Sequence, residues 1–498
     1  MPFRAQLSEL IAETMGLHFP RERLADLQRG LAGAAGEFGF EDVAACADWL
    51  LSAPLTKTQL QVLASHLTIG ETYFFREKKT FEVLASHVLP ELIGARRGRE
   101  QRLRLWSAAT CSGEEAYSLA ILLHQILPDL ADWHVTILAT DINPHFLRKA
   151  VAGSYGEWSF RDTPNAFKEG YFNRTADGRY AIRPEIKQLV TFAHVNLVED
   201  VYPALATDTN AMDVIFCRNV LMYFTPAQTR RVIGKLHHSL IEGGWLTVSP
   251  SEASQALFPQ FVTRNFPGVT VYQKSDVNVR GGRTAAPAPP GDAAEWWVPA
   301  RELPREAAAA TARRLEPPPV QPQGEPAPVD TPPTPQARAV SLYEQGRYGE
   351  AADTLLAFCA EHTPDPPAFS LLARALANQG RLADALLWCD RWVAADKMDP
   401  AGHYLRAVIL LEHGRPDDAR RSLQRALYLD PTFVLAHFAL GNLARSRGTD
   451  DEAERHFANT LPLLARLQPD DLLPESDGLT AGRLTETITT VAALRHTR

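Results

Sequence analysis

The stretch L-R-L-W-S-A-A-T-C-S-G-E-E-A-Y-S-L-A-I-L, residues 103–122, decides how the chain is divided. Residues 103–108 have the apolar density of a buried strand. Residues 109–113 are small enough for a tight turn, and the apolar spacing behind Glu114 and Glu115 predicts a helix. A strand that turns sharply into a helix lets a ligand approach the backbone closely, as in nucleotide-binding α/β folds. A helix N-terminus favours anions, yet this one opens on two carboxylates, which argues against a phosphate ligand.

Downstream, the apolar runs 135–141, 192–197, 213–219, 245–250 and 269–274 alternate with helical patterns, predicting a mostly parallel sheet covered on both faces. The clearest helix follows Thr225, an N-cap with Pro226 at the first helical position and Gln228 completing a capping box; Gly243 and Gly244 are expected to stop it. Residues 153–190 break the alternation with aromatic residues and an Asp177-Gly178 turn, so a small inserted β unit is expected there. Asp141 ends the second predicted strand, where an acid accepts hydrogen bonds from ribose hydroxyls. No G-x-G-x-x-G motif is present, which disfavours a nicotinamide cofactor. Acidic groups at the turn and at the strand end suit a ligand with a ribose and a cationic part, and S-adenosylmethionine has both.

Upstream, residues 1–90 read as short helices with apolar faces carried by Leu7, Ile11, Leu27, Leu31, Leu63 and Leu67, with a break expected around residues 33–39. They run into T-Y-F-F-R-E, residues 72–77, where the polar Thr72 and Arg76 stand among aromatics. The domain expected from 91 to 277 is followed by a proline-rich segment, 278–336, read as a disordered linker that contains Trp296 and Trp297. The linker leads to Gly346, Gly380, Gly414 and Gly448, a period of 34 residues. Ala351, Ala385, Ala419 and Ala453 keep the same register, as do Ala339, Ala373, Ala407 and Gly441. Such units resemble tetratricopeptide repeats, expected over 337–468, with a tail at 469–498 that has room for a capping helix.

Composition narrows the function. At 498 residues the chain exceeds a single core, and a net charge of −8 gives no electrostatic case for nucleic acid. Five cysteines without a C-x-x-C pair predict neither disulfides nor a metal site. His237 and His238 are expected at the surface. The basic run 96–104 is expected to hold an acidic substrate face or simply to be solvated. No apolar run approaches a membrane span and residues 1–10 lack a signal-peptide core, so a cytoplasmic protein is expected.

W-S-A-A-T-C-S-G-E-E-A-Y-S (106–118), with T-Y-F-F-R-E before it and A-T-D-I-N (139–143), F-C-R-N-V-L-M-Y-F (216–224) and S-P-S-E (249–252) after it, resembles the CheR family of chemotaxis receptor methyltransferases. The resemblance covers roughly residues 5–275. It implies a multidomain chain: an all-α N-terminal domain, a Rossmann-like α/β methyltransferase domain with a small antiparallel β insertion, and here a C-terminal all-α repeat solenoid. It implies S-adenosylmethionine as methyl donor, with S-adenosylhomocysteine as product, and methyl ester formation on glutamates of chemoreceptor cytoplasmic helices. Carried over by position, the cofactor contacts are Thr72, Arg76, Glu114, Asp141, Asn196, Leu197, Arg218 and Asn219. Arg218 and Tyr223 take catalytic places, and the family often has Asn where Gly70 stands. Some members hold a receptor tail on a longer glycine-bearing hairpin than the one at 173–182. The repeats are expected to bind a further protein and to recruit the enzyme to receptor arrays at the inner membrane. Two readings from other classes stay open: a repeat scaffold whose methyltransferase fold senses or has lost its cofactor, and a methyltransferase acting on a small molecule or RNA.

Overall fold

The computed structural model describes residues 2–275 and 334–493. The expected linker lies outside them apart from its last three residues, and so do Trp296 and Trp297.

Four helices open the chain: α1 (Pro2–Met15), α2 (Leu24–Glu37), α3 (Val43–Leu51) and α4 (Lys57–Leu67). Asp42 caps α3 through the Ala44 and Ala45 amides, and Thr56 with Gln59 forms a capping box on α4. Leu7, Ile11, Leu27, Leu31, Leu50 and Leu63 close one core. The expected break falls only at the end of 33–39: α2 runs through Gly33, where an added Cβ would lie 2.5 Å from His66 Nδ1, and stops at Glu37 before a turn at Gly39, φ 81°. Gly33 serves close helix packing, a use the local sequence does not distinguish from a turn.

Helices α5 (Lys78–Val83) and α6 (Leu89–Arg96) then lead into the sheet. In chain order come β1 (Arg102–Ala108), α7 (Glu114–Ile126), β2 (His134–Asp141), α8 (Pro144–Ala152), β3 (Ser154–Tyr155), α9 (Asn165–Tyr171), β4 (Phe172–Arg174), β5 (Tyr180–Ile182), α10 (Pro184–Lys187), β6 (Val190–His194), β7 (Met212–Cys217), α11 (Pro226–Ser239), β8 (Leu240–Thr247), β9 (Phe261–Phe266) and β10 (Val269–Lys274). The seven-stranded order is β6-β2-β1-β7-β8-β10-β9. Its first five strands pair in parallel, and β10 and β9 close the edge antiparallel. β3, β5 and β4 make the separate antiparallel insertion. From β1 the chain builds β2 and β6 on one side and then crosses back to β7 on the other, so a crevice opens beyond the carboxyl ends of β1 and β7. The capping box at Thr225 forms, but α11 ends at Ser239; Gly243 and Gly244 belong to β8, where Gly243 takes φ 79°.

The repeats are α12 (Pro335–Glu344), α13 (Tyr348–Glu361), α14 (Pro366–Asn378), α15 (Leu382–Ala395), α16 (Pro400–Glu412), α17 (Pro416–Leu429), α18 (Val434–Ser446) and α19 (Asp450–Leu464), followed by α20 (Ala481–Ala493). Ala339, Ala351, Ala373, Ala385, Ala407, Ala419 and Ala453 are fully buried in one continuous core. Among the described residues, no helix is long and apolar enough to cross a membrane.

The array packs on the methyltransferase fold. Leu205, from the loop before β7, joins the repeat core. Glu412 of α16, 2% exposed, accepts from Asn210 Nδ2 at 3.0 Å and meets Arg102 Nη1 at 3.4 Å. The basic run is therefore neither a free substrate face nor a solvated one at Arg96, Arg102 and Arg104: Arg96 pairs with Asp213, and Arg102 and Arg104 are buried. His238 is no free surface residue either, since the left-handed Gly346 turn abuts its ring. The next two turns follow suit, with an added Cβ at Gly380 lying 3.0 Å from Arg102 Nη2 and one at Gly414 lying 3.4 Å from His134. At Gly448, nothing stands within 4 Å.

Candidate active site

A cleft at the carboxyl ends of β1, β2 and β7 encloses about 1100 Å³, its open mouth included. Thr72, Arg76, Asp141, Asn196, Leu197, Arg218, Asn219 and Tyr223 all line it, joined by Glu115, Thr110, Phe146 and Arg23. Its backbone is unusual: Phe75, Glu77, Ala109, Cys111 and Asn219 are non-glycine residues with φ between 54° and 63°. Each such residue costs about 1–3 kcal/mol and persists only where the surroundings over-determine it.

Glu252 is one such determinant. Buried at 5% exposure, it accepts from the Asn219 and Val220 amides, both at 2.8 Å, from Met222 N at 3.2 Å and from Ser249 N at 3.0 Å. One carboxylate thus shapes the loop that presents Arg218, Asn219 and Tyr223. Its signal was the terminal Glu of S-P-S-E, whose role depends on a fold contact 30 residues away from Met222.

Asp141 ends β2 inside the cleft, with Oδ2 accepting from Cys111 N and Oδ1 from Asn143 N, each at 2.8 Å. Burial pushes its carboxyl up to about 6 in spite of these bonds. Arg218 is buried and committed: it meets Glu115 Oε2 at 3.2 Å, Glu77 Oε2 at 2.9 Å and the Arg76 carbonyl at 2.6 Å. Asn196 Nδ2 donates to Thr14 O at 2.7 Å, tying the cleft to α1. The Tyr223 ring stacks under Arg23, 5.4 Å from its centroid, and among the described residues nothing holds its hydroxyl.

The two carboxylates of α7 divide. Successive helical residues point about 100° apart, and here only Glu115 lines the cleft. Glu114 does not: its carboxylate accepts from Ser112 Oγ at 2.8 Å and Ser159 Oγ at 2.9 Å, away from the cleft lining. Glu115, one residue on, lines it between Ser107 Oγ, at 2.7 Å, and Arg218. Burial raises both carboxyls, opposed at Glu115 chiefly by the Arg218 charge. Gly70 also finds its reason here, because an added Cβ would lie 2.6 Å from Phe146 Cζ. The Phe146 ring fills space that a longer side chain at 70 would need.

CheR methyltransferase, SAM binding domain, matches residues 70–265, and the tetratricopeptide repeat matches 337–400 and 404–470. Chemotaxis protein methyltransferase 2 of Vibrio cholerae is 36% identical over 216 residues, which span 43% of this chain and 73% of that protein. The chain belongs to the CheR family. Probable chemotaxis protein methyltransferase of Rhizobium etli is likewise 36% identical, over 41% of this chain and 75% of its own length. Among solved structures, MamA 41-end from Desulfovibrio magneticus RS-1 is 19% identical with a TM-score of 0.26, covering 27% of this chain and 76% of that one. This CheR protein is an S-adenosylmethionine-dependent protein methyltransferase. Its cleft suits that cofactor: Glu115 and Asp141 offer carboxylates to a cation and to hydroxyls, and the buried Thr110 Oγ1 has no partner among the described residues.

Proposed function

We propose that this CheR protein transfers a methyl group from S-adenosylmethionine to glutamate side chains of a chemoreceptor cytoplasmic domain, giving methyl esters for sensory adaptation, and that the repeats bring a protein partner to the enzyme. The observation that carries the reading is the convergence of Glu115, Asp141, Arg218, Asn219 and Tyr223 on one cleft. S-adenosylmethionine supplies an activated methyl on a sulfonium. Asp141 is the acceptor for its ribose hydroxyls, and Glu115, rather than Glu114, faces its cationic methionine portion. Thr72, Arg76, Asn196, Leu197 and Asn219 complete the walls.

Oxygen attack on a sulfonium methyl neutralises charge in line, so alignment and exclusion of water supply most of the acceleration. A glutamate carboxylate, ordinarily titrating near about 4.3, is already ionised at neutral pH and needs no general base. Tyr223 has the free hydroxyl and the open position to donate a hydrogen bond to one carboxylate oxygen while the other attacks. Arg218 positions Glu115 and fixes the strand-end loop through the Arg76 carbonyl.

The test is incubation with methyl-labelled cofactor and a receptor cytoplasmic fragment, followed by mild base. Base-labile label on the receptor is expected; cofactor binding without such label would favour the scaffold reading. Tyr223→Phe should lower kcat by roughly 10- to 100-fold with the cofactor Kd unchanged, the span expected for one positioned donor.

A further inference from the structure

The loop between α19 and α20 does more than link them. Residues 472–480 read L-L-P-E-S-D-G-L-T and form a closed hairpin in which Leu472 bridges Thr480 and Leu473 N donates to Leu479 O at 2.9 Å. Its apolar arms, Leu473 and Leu479, are buried in the repeat core. Its tip presents two carboxylates to a single arginine: Arg374 of α14 meets Glu475 Oε2 and Asp477 Oδ1, each at 2.7 Å. Ser370, one turn earlier on α14, donates to Glu475 Oε2 at 3.1 Å, and Tyr343 of α12 donates to Asp477 Oδ1 at 3.4 Å. These partners come from the first helices of successive units, the helices that line one face of the array.

With the hairpin in place Arg374 is 5% exposed, and Glu475 and Asp477 are its counter-charges. The two carboxylates together oppose its desolvation. The hairpin pays a conformational cost to supply them: Glu475 and Asp477 stand at φ 62° and 57°, a region that non-glycine residues rarely occupy. The fit is also incomplete. Asn378, 3% exposed and donating Nδ2 to Tyr343 Oη at 2.9 Å, keeps an Oδ1 without a donor among the described residues. A strained turn that satisfies the charge of the groove but not all of its hydrogen bonds is a replaceable occupant.

We propose that the groove of α12 and α14 around Arg374 is a peptide site for a turn bearing two carboxylates one residue apart, held here by Glu475-Ser476-Asp477 of the same chain. A partner protein carrying a Glu-x-Asp turn, with one further donor for Asn378 Oδ1, takes its place. The hairpin tip also touches the methyltransferase fold, where Leu205 N donates to Asp477 Oδ2 at 3.4 Å, but the test reads no methyl transfer, so its failure and that of the proposed methyl transfer are separate events.

The probe is a fluorescein-labelled decapeptide of residues 471–480, followed by anisotropy with the full chain. In the parent the tethered hairpin competes at an effective concentration of about millimolar, so E475Q/D477N should bind the probe at least about tenfold more tightly. Adding R374Q should remove at least that gain. Equal binding by parent and double variant, or by double and triple variants, overturns the proposal. A second measurement needs no substitution: a seven-residue peptide A-P-E-S-D-G-A at millimolar concentration should speed amide hydrogen exchange at Leu473 and Leu479 of the unaltered chain. Unchanged exchange there counts equally against it.

Discussion

Glu114 and Glu115 are adjacent and both acidic, the first buried and the second half-buried, yet they stand in different surroundings. Glu115→Gln removes the charge facing both the cleft and Arg218, and charge-assisted bonds are roughly twice as strong as neutral ones. It should weaken cofactor binding by about tenfold or more, whereas Glu114→Gln should change it by less than about threefold, since one serine keeps an oxygen to donate to and the other hydroxyl can turn to accept from the new amide. Calorimetric titration of the two variants decides; the reverse order would return the contact to Glu114. Asp141 sets a pH dependence of its own. Its folded carboxyl titrates at about 6, above the ordinary carboxylate value, so the ionised acceptor is complete above that pH and lost as pH falls through it. Apparent cofactor affinity should be roughly tenfold weaker at pH 5 than at pH 7.5, and Asp141→Asn should flatten the profile. A profile as steep in the Asn variant would assign the titration elsewhere. At this scale the sequence was legible in residue type and place: the loop residues and the strand-end acid read from 103–122 and 135–141 line the cleft. What it could not carry was direction, because which of two neighbouring carboxylates turns inward depends on Ser159 and Arg218, brought near only by folding.

Among elements, periodicity was the strongest signal and also showed where it stops. The 34-residue register in the sequence placed small residues where paired helices approach, and Gly441 illustrates why: an added Cβ would lie 2.5 Å from Phe457 Cε1. Gly441→Ala should therefore lower stability by about 1–3 kcal/mol through overpacking of α18 on α19, in spite of alanine's better helix propensity. A thermal melt with no loss, or a gain, would mean that the Phe457 ring relaxes freely. Elements defined by local chemistry, such as the Thr225 capping box, were readable to the residue. The antiparallel β9 was not anticipated, because its pairing with β10 is decided by an edge of the sheet and not by its own pattern. Glycines misled for the same reason, with Gly33 inside α2 and Gly243 inside β8, each serving its neighbours' geometry.

Across the whole molecule, the repeats are part of the enzyme's architecture. Burial pushes the Glu412 carboxyl up, opposed by the Arg104 and Arg102 charges, and the Arg102 guanidinium down, opposed chiefly by Glu412. Such a pair adds little net stability, but removing one member leaves a buried charge and costs about 3–5 kcal/mol. Glu412→Ala should thus lower the melting temperature and enlarge the radius of gyration in small-angle scattering; an unchanged radius would show that the remaining contacts suffice. The far end is tied as well, by Arg483 of α20 with Asp200, whose carboxylate also accepts from Asn196 N beside the cleft. Arg483 reaches His194 Nδ1 at 3.3 Å, and burial with that neighbouring charge lowers His194 to about 4, so the ring stays neutral at physiological pH. None of this long-range pairing has a local signature, which is why the sequence suggested a tether on a linker and the structure shows a docked array.

The turn glycines that face Arg102, His134 and His238 carry one more implication. Solenoids ordinarily gain or lose whole units freely, since each unit contacts only its neighbours. Here Gly346, Gly380 and Gly414 stand against three fixed points on another fold, while Gly448 stands free. Duplication or deletion of a unit among the first three would shift every later turn off its mark, so lineages bearing this arrangement should conserve their repeat number on that side and vary it only beyond Gly448.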